Sequence, residues 1–320
     1  AGEQEVRKKK PKPQSRHVVG VPFVAVVLAV MGWTWYVHVL IMDFELFKDW
    51  KTVPIAVVDL IVFNIIFAFE MISYARIVGT CPGFVPKGWS SMSGQDGGIS
   101  KEQMSRLNGD GEAPGRGGAG SDEIAVSVQR GRAASGEIRF CEACQCEKPE
   151  RAHHCRVCNR CVLKMDHHCP WINNCVGHYN QKFFILFVWY TVLLGLYNCA
   201  TVSLWAYPMS DARQQAIMED WTVVWTNIIV SGIFGAFQIA FGVHHLLLVR
   251  QNVTTIETIG KGRLRKKQLA VYDLGLRGNI ELVFGPKMST WALPCVQGCH
   301  GDGYTWRRRN DSARDAELRP

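Results

Sequence analysis

The sequence predicts an α-helical polytopic membrane protein, with four transmembrane helices and a small cysteine-rich module of short β-hairpins between the second and the third. Three observations support this fold class. Four apolar runs are long enough to cross a bilayer, polar segments separate them, and eight of the twelve cysteines lie within residues 141–175. A soluble globular chain would spread its apolar residues through amphipathic patterns rather than concentrate them in long runs.

The first apolar run, residues 18–42, is almost uninterrupted. A helix rises 1.5 Å per residue, so about 20 apolar residues cross a hydrocarbon core of roughly 30 Å. This run is too long for a signal peptide and lacks an A-x-A-like end, so we expect a membrane span rather than a cleaved leader. The other predicted transmembrane helices are residues 53–78, 183–207 and 223–249.

The connecting segments differ in charge. Loops 43–52 and 208–222 each contain three acidic residues and fewer basic ones, whereas the remaining polar segments are richer in Lys and Arg. Basic residues favour the cytosolic side of a membrane. We therefore expect both termini and the cysteine-rich module in the cytosol, and the two acidic loops in the lumen.

Composition divides the chain further. Residues 87–136 hold twelve glycines and eight serines, so they bury too little apolar surface to offset their ordering entropy and we expect disorder. The net charge of +8 comes largely from clusters beside the apolar runs and does not indicate a nucleic-acid partner. For Arg307 to Arg309 we expect a solvated tail.

The predicted segments are a cytosolic basic tail (1–17), transmembrane helix 1 (18–42), a luminal loop (43–52), transmembrane helix 2 (53–78), a largely disordered cytosolic linker (79–136), the cysteine-rich module (137–182), transmembrane helix 3 (183–207), a second luminal loop (208–222), transmembrane helix 4 (223–249) and a cytosolic C-terminal region (250–320).

Several polar residues interrupt the apolar runs. Ionisable residues inside a membrane are functional candidates by default, but Asp59 and Glu70 lie near the ends of their run, where pairing or snorkelling is the simpler expectation. We expect Asn198, Asn227 and Gln238 to form hydrogen bonds between helices rather than to line a pore.

Cysteine and histidine alternate in the module. Disulfide frameworks do not need histidine, whereas structural zinc takes four Cys or His ligands, often as pairs with two residues between them. There are enough such residues for two closed Cys3His sites, with a cysteine beside His168 and also Cys146 left over. Metal would supply the stability that so small an apolar core lacks. The residues of ligand type are Cys141, Cys144, His154, Cys155, Cys158, Cys161, His168, Cys169 and Cys175.

The tetrapeptide Asp166-His167-His168-Cys169 has the composition of a nucleophilic site. A cysteine nucleophile needs an imidazole to take its proton, and a carboxylate can hold that imidazole in one tautomer. In an extended strand alternate side chains share a face, so His167 and Cys169 would point together while His168 points toward a metal. Cys169 could instead be a zinc ligand itself, but Cys175 is available to complete the second site.

The module resembles that of the DHHC family of protein S-acyltransferases. The family pattern, C-x2-C-x9-H-C-x2-C-x2-C-x4-D-H-H-C-x5-C-x4-N-x3-F, is met without a gap from Cys141 to Phe184. Thr254-Thr255-Ile256-Glu257 is similar to the family's TTxE motif, and Asn279 matches a C-terminal asparagine of the family. One departure is Cys81-Pro82-Gly83, where the family has Asp-Pro-Gly, so the turn is kept but a carboxylate is lost.

The resemblance implies roles for individual residues. Cys169 would be the acyl-accepting nucleophile, His167 the general base, and Asp166 the residue that orients it. The resemblance implies two structural zinc ions, one on Cys141, Cys144, His154 and Cys161, and one on Cys155, Cys158, His168 and Cys175. It also implies an acyl-CoA co-substrate, with Arg139 and Lys148 facing the phosphates of coenzyme A, and Trp171, Phe184 and Phe187 near the acyl chain.

On this resemblance we expect a protein-cysteine S-palmitoyltransferase that moves a long-chain acyl group from acyl-CoA to Cys169 and then to cysteines of other proteins. The expected partners are the lipid bilayer and membrane-associated proteins with cytosolic cysteines, with no nucleic acid and with the oligomeric state open. The expected compartment is the Golgi or the endoplasmic reticulum, with the plasma membrane as a further one.

Two other functional classes remain as alternatives. A membrane-tethered zinc adaptor, such as a RING-like ubiquitin ligase, would also hold two zinc ions, but it would not need Asp-His-His-Cys-Pro-Trp beside a membrane span. A transporter or ion-conducting protein would need its intramembrane charges to face a shared cavity, and Asp59 and Glu70 are the candidates.

Overall fold

The computed structural model describes residues 16–91, 139–206, 221–259 and 270–309. Within these residues four helices are long and apolar enough to cross a membrane: the first span Gly20–Asp43, the second span Val53–Gly79, the third span Gln181–Leu204 and the fourth span Thr222–Arg250. The predicted fold class is therefore confirmed. The predicted linker, the N-terminal tail, the loop 208–222 and the basic residues 263–267 fall wholly or largely outside the described ranges.

The helices begin and end as local chemistry allows. The first span lies on an α-helix, Arg16–Trp35, that continues as a π-helix, Tyr36–Asp43. The helix of the second span, Val53–Gly79, has Pro54 in its first turn. Backbone N–H groups in the first turn have no acceptor within the helix, so a proline there costs no hydrogen bond. The other helices are Phe44–Phe47, Gln181–Ala206, Trp221–Arg250, Thr255–Ile259 and Gly275–Phe284, with 3-10 helices at Pro170–Ile172, Ala270–Tyr272 and Met288–Thr290.

The third span is the centre of the helical bundle. It packs along the second span on one side and along the fourth span on the other, while the first span packs against the 3-10 helix Pro170–Ile172. Half of the most apolar part of the third span is buried (50%), against 22–28% for the other three. The phenylalanines at its start, Phe183, Phe184 and Phe187, form the core with Tyr74 of the second span.

Buried polar side chains join three of the spans at the end of the bundle opposite the cysteine-rich module. Asn198 of the third span pairs its Oδ1 with His38 Nδ1 of the first span at 3.0 Å and donates to Ser231 Oγ of the fourth at 3.2 Å. Asn227 donates to the same Asn198 oxygen at 3.3 Å. These two asparagines therefore make the expected interhelical hydrogen bonds, whereas Gln238 lines the cavity described below.

Three antiparallel hairpins form the cysteine-rich module. They pair β1 (Arg139–Cys141) with β2 (Cys146–Lys148), β3 (His153–Cys155) with β4 (Arg160–Val162), and β5 (His167–Cys169) with β6 (Asn174–Val176). Strands of three residues are too short to be stable without further links. The register places His154 opposite Cys161 and His168 opposite Cys175, so residues of ligand type meet as cross-strand neighbours.

The segment after the second span packs on this module. The amide of Val85 donates to the carbonyl of Cys161 at 2.9 Å, and the amide of Leu163 donates to the carbonyl of Gly83 at 2.8 Å. Residues 80–91 thus belong to the folded part, although the sequence assigned them to the linker. The reason is local, because this stretch contains aromatic side chains, whereas residues 92–136 contain none.

The C-terminal segment also packs on the module. The hydroxyl of Tyr179 donates to the carbonyl of Asp302 at 2.9 Å. Arg308 forms an ion pair with Glu150, with 2.9 Å between Nη2 and Oε1. The expectation of a solvated tail is therefore wrong for Arg308, because its guanidinium compensates a carboxylate that is only 5% exposed.

Candidate active site and metal centres

Two groups of four side chains converge in the module, and they are the two sets that the resemblance implied. Within each group the candidate ligand atoms all lie within 4.8 Å of one another. Each group combines the C-x2-C turn of one hairpin with a cross-strand pair of the next hairpin, so the two groups link the three hairpins in series. The first cluster is Cys141, Cys144, His154 and Cys161, and the second cluster is Cys155, Cys158, His168 and Cys175.

The distances within both clusters fit a tetrahedral metal. His154 Nδ1 lies 3.5 Å from Cys141 Sγ and 3.3 Å from Cys144 Sγ. His168 Nδ1 lies 3.5–3.7 Å from the three sulfurs of the second cluster. Zinc bonds of about 2.3 Å to sulfur and 2.0–2.1 Å to nitrogen, at tetrahedral angles, separate those two atoms by about 3.6 Å. Both clusters are therefore compatible with closed zinc sites.

Two cysteines of the module stand outside both clusters. Cys146 is 2% exposed and lies opposite Cys141 in the first hairpin. Cys169 is 8% exposed and ends β5. The side chains along β5 alternate, because His168 joins the second cluster whereas His167 and Cys169 are within hydrogen-bonding reach of each other.

Asp166 holds the other side of His167. Its Oδ2 lies 2.6 Å from His167 Nδ1, and its two oxygens accept hydrogen bonds from the amide and the hydroxyl of Thr255, both at 2.9 Å. Burial alone would raise the pKa of Asp166, yet these bonds outweigh it and hold that pKa below its usual value. Burial opposes charge on His167, but Asp166 and Cys169 outweigh it and raise the pKa of His167 to about 9.

The Thr254-to-Glu257 motif fixes Thr255 in this position. The amide of Thr254 donates to Glu257 Oε2 at 2.9 Å, and the amide of Glu257 approaches Thr254 Oγ1 at 3.4 Å, which is a capping box at the start of helix Thr255–Ile259. Arg151 of the module donates to both oxygens of Glu257, each at 2.8 Å, and both side chains are buried. The motif therefore ties the fourth span to the module.

A cavity of about 500 Å³ opens from Cys169 into the helical bundle. Side chains of all four spans line it, and most of them are apolar. Its lining on the third span runs from Phe184 to Gly195, a stretch of twelve residues whose ends lie about 16 Å apart along the helix. At its deep end lie Leu194 and Ser231. The cavity thus offers a long apolar space next to a thiol.

The aromatic residues singled out from the sequence lie around the mouth of this cavity. Trp171, Phe184 and Phe187 all line it, and the ring of Phe184 lies 5.2 Å from that of His167. The hydroxyl of Tyr74 in the second span donates to the carbonyl of Trp171 at 2.9 Å. The loop after Cys169 is therefore held against the membrane helices.

Comparison with known proteins agrees with this geometry. Residues 134–262 match the family model described as DHHC palmitoyltransferase. The chain is 32% identical over 86% of its length to "Probable protein S-acyltransferase 14" of Arabidopsis thaliana, covering 84% of that protein, and 32% identical over 91% of its length to "Palmitoyltransferase ZDHHC15" of Homo sapiens, covering 82%. It is also 38% identical to "Palmitoyltransferase ZDHHC20-A" of Danio rerio, over 55% of this chain and 49% of that protein.

The chain belongs to the DHHC palmitoyltransferase family. The recognition made from the spacing of cysteines and histidines is therefore confirmed. The four apolar helices and the family membership together make it an integral membrane protein.

The turn that departs from the DHHC family pattern keeps its shape. Gly83 has φ +100°, and a Cβ there would lie 3.2 Å from both Leu163 and Tyr179, so glycine is required. Cys81, where the family has Asp, is half-buried. The backbone turn therefore survives the loss of the carboxylate.

The two basic residues assigned to coenzyme A by resemblance to the DHHC family lie away from the cavity. Arg139 and Lys148 are cross-strand partners in the first hairpin. Arg139 donates to the carbonyls of Pro149 and Ala152 at 3.3 and 3.2 Å. Neither side chain is among the residues lining the cavity.

Sequence reasoning missed His245 in the fourth span. It is 3% exposed, lines the cavity, and lies with its ring 5.8 Å from that of His167 and 4.9 Å from that of Phe184. The available signal was the pair His244-His245 inside an otherwise apolar run, since ionisable residues in a membrane span are functional candidates. The run was instead interpreted only as a span.

Proposed function

We propose that this chain is a protein-cysteine S-palmitoyltransferase, which moves a long-chain acyl group from acyl-CoA to Cys169 and then to cysteine thiols of substrate proteins. The position of Cys169 is the observation that supports the proposal most. Its sulfur stands outside both four-ligand clusters, beside His167, at the mouth of an apolar cavity. A thiol in that position can be both deprotonated and acylated.

The reaction proceeds in two steps through an acyl-cysteine. His167 takes the proton of Cys169, and the thiolate attacks the carbonyl carbon of the acyl-CoA thioester. The bond from that carbon to the sulfur of coenzyme A breaks, and the leaving thiolate takes the proton from His167. A substrate thiol then gives its proton to His167 and attacks the acyl carbon. The bond from that carbon to Cys169 breaks, and the released Cys169 thiolate takes the proton from His167. One thioester replaces another, so no other energy source is required.

Asp166 acts through His167. Its Oδ2 accepts from Nδ1 of the imidazole, which leaves Nε2 as the atom that exchanges the proton with sulfur. Thr255 donates twice to the same carboxylate, so the carboxylate cannot rotate away. The TTxE motif is accordingly part of the machinery that orients the base.

The acyl chain lies in the apolar cavity while its carbonyl carbon is bound to Cys169. Each methylene moved from water to an apolar site contributes about 0.8 kcal/mol, so a long chain is favoured over a short one until the cavity is full. Trp171, Phe184 and Phe187 surround the first part of the chain, where they also exclude water from the thioester. Arg139 and Lys148 place two positive charges side by side on the first hairpin, which suits the phosphates of coenzyme A.

The two Cys3His clusters would each hold a structural zinc ion. Four protein ligands would leave no open coordination position for water, so the ions would supply cross-links between hairpins rather than a Lewis acid. This role agrees with strands of three residues that have few other means of stability.

The alternatives explain less of the geometry. A zinc adaptor accounts for the clusters but not for a cysteine excluded from them and set against a cavity. A transporter would need Asp59 and Glu70 in one cavity. Glu70 lines the cavity and accepts a hydrogen bond from Thr191 at 2.8 Å, whereas Asp59 is not among the lining residues.

We assign both termini and the module to the cytosol and the protein to the Golgi or endoplasmic reticulum. Charge on the connecting loops and the requirement for reduced thiols support this orientation. The substrates are then membrane-associated proteins whose cysteines face the cytosol.

The test is the loading of purified protein with a clickable long-chain acyl-CoA. We expect the wild type and Cys295→Ser to carry label that hydroxylamine removes, and Cys169→Ser to carry none on the module and to transfer none to a substrate. Cys295 is an exposed cysteine outside the module and serves as the matched control. Thioester label that persists on the module and on substrates in Cys169→Ser contradicts the proposal and favours the adaptor.

A further inference from the structure

A third group of ligand-type side chains lies inside the helical bundle, at the end opposite the module. His38 and Asp43 come from the first span and Asp59 from the second, and their candidate ligand atoms all lie within 4.8 Å of one another. They are almost fully buried, with exposures of 0%, 1% and 4%. They lie outside the DHHC pattern of residues 141–184 and do not line the acyl cavity.

The π-helix at the end of the first span brings two of these residues together. In an α-helix of 3.6 residues per turn, residues five apart point about 140° away from each other. The i→i+5 hydrogen bonding of a π-helix brings such residues onto nearly the same face, and these irregular turns are frequent at functional sites. His38 and Asp43 are five apart within the π-helix Tyr36–Asp43. Asp59 faces them from the neighbouring span.

The hydrogen bond of His38 to Asn198 orients the imidazole so that its Nε2 faces the two carboxylates. Its Nδ1 lies 3.0 Å from Asn198 Oδ1, so a neutral ring carries its proton on Nδ1 and leaves a lone pair on Nε2. That Nε2 lies 3.4 Å from Asp59 Oδ2, longer than a good hydrogen bond. Two acceptors therefore face each other, and both groups are almost fully buried.

Asp43 strengthens the case for a bound cation. Both of its carboxylate oxygens are buried and have no hydrogen-bond donor within the described residues, and His38 Nε2 is likewise unsatisfied. A buried charge without a partner is strongly disfavoured. A proton shared by two of these side chains would leave the third without a partner. One metal ion would bind His38, Asp43 and Asp59 together.

We propose that His38, Asp43 and Asp59 bind a divalent cation of the zinc class. Zinc takes imidazole nitrogen and carboxylate oxygen at about 2.0–2.2 Å, and two such ligands at a tetrahedral angle stand about 3.3 Å apart, close to the observed separation of His38 from Asp59. Two carboxylates with a neutral imidazole carry two negative charges, which a divalent ion cancels. Magnesium and calcium prefer more numerous ligands made only of oxygen.

Neighbouring side chains complete the site and link it to the cavity. Tyr197 donates to Asp59 Oδ1 at 2.5 Å, and Asn198 holds His38, which are the outer contacts that orient metal ligands. Asn198 also donates to Ser231, a residue at the deep end of the acyl cavity. The ion therefore clamps the bundle directly beyond the floor of that cavity.

The metal content of the purified full-length chain tests the proposal. With zinc supplied during expression, we expect His38→Gln and Asp43→Asn each to lose about one equivalent of zinc per chain relative to wild type, by inductively coupled plasma mass spectrometry. The matched control is Asp49→Asn, the same acid-to-amide change in the connection between the first two spans, and it loses none. The comparison does not depend on any activity of Cys169.

Equal zinc content in the wild type and both ligand variants overturns the proposal. If a variant does not purify as a single species, zinc K-edge X-ray absorption of the wild type decides alone. Two Cys3His sites give about three sulfurs per zinc, and a third site made of nitrogen and oxygen lowers that average to about two. An average of three in fully metallated protein overturns the proposal as well.

Discussion

At the scale of single residues, the site depends on an alternation along one short strand. The side chain of His168 points into the second cluster, and the side chains of His167 and Cys169 lie together on the opposite side of the strand. The carboxylate of Asp166 receives three hydrogen-bond contacts, one from His167 and two from Thr255. In the proposed mechanism four consecutive residues thus supply both a metal ligand and a reactive pair, and the orientation of that pair depends on a motif 89 residues away.

The first prediction concerns Asp166. Asp166→Asn keeps the shape but removes the negative charge that stabilises the imidazolium of His167, so we expect acyl loading of Cys169 to fall by about a hundredfold or more. Thr255→Val removes only one hydroxyl contact and leaves the backbone contact, so the loss should be about tenfold.

Two measurements check this prediction. Single-turnover loading gives the rate, and alkylation of Cys169 by iodoacetamide at neutral pH reports its thiolate. Zinc content serves as the control for folding, because it should stay at the wild-type value in both variants. Unchanged alkylation in Asp166→Asn would show that the carboxylate does not act on the catalytic pair.

At the scale of elements, two different kinds of packing form the site. The hairpins of the module meet through metal-type clusters, while the spans meet through apolar packing that leaves a cavity. Gly195 of the third span lines the deep end of that cavity, and a Cβ there would contact Ser231 O at 3.5 Å without a clash. A Cβ is therefore accommodated at this position, and we expect a larger side chain to occupy part of the cavity.

The second prediction is that Gly195→Val shortens the preferred acyl chain. The added side chain removes room for the last few carbons, and each methylene that no longer fits forfeits about 0.8 kcal/mol, or roughly fourfold in relative loading. Competition between C16 and C12 acyl-CoA measures the change. Gly232→Val on the fourth span meets nothing within 4 Å and should keep the wild-type ratio. A ratio unchanged in Gly195→Val would mean that the chain does not reach this depth.

The third prediction concerns the ion pair that joins the fourth span to the module. Burial raises the pKa of Glu257, but Arg151 outweighs burial and keeps that pKa low. Glu257→Gln leaves the buried guanidinium uncompensated, so we expect about 3–5 kcal/mol of lost stability and a lower unfolding midpoint in detergent. Glu281→Gln breaks the exposed pair with Arg277 and should leave the midpoint near that of the wild type. Equal midpoints for both variants would refute the anchoring role.

At the scale of the whole molecule, the spans and the module are one unit. The side-chain amide of Asn174 donates to the carbonyls of Ile77, Val78 and Thr80 at the end of the second span, at 3.0–3.3 Å. These carbonyls are the ones that a helix end leaves unsatisfied. Cys169 is thereby fixed where the module meets the bundle, because Asn174 is its cross-strand partner.

The sequence predicted what depends on local pattern and missed what depends on tertiary packing. Hydropathy located the four spans, the spacing of Cys and His indicated two zinc sites, and the family resemblance implied the two four-ligand sets that the structure brings together. The contact of Arg308 with Glu150 joins residues 158 positions apart in irregular segments, for which no periodicity exists. His38 and Asp43 share a face because of a π-helix, which an apolar run does not reveal.

The fourth prediction tests the metal clusters as supports for this unit. Cys161→Ser removes one ligand of the first cluster, so we expect the loss of about one zinc per chain and of most acyl loading. Cys146→Ser changes a buried cysteine outside both clusters and should retain the zinc. Zinc content and circular dichroism together check the outcome, since the four spans should stay helical in both. Full zinc content in Cys161→Ser would contradict the proposed ligand set.

The most direct test of the central claim is peptide mass spectrometry of the wild-type protein after incubation with palmitoyl-CoA and no protein substrate. The account predicts a palmitoyl adduct on Cys169 that hydroxylamine removes, with both metal clusters still occupied. An unmodified Cys169 in protein that acquires the acyl group on other cysteines would contradict it.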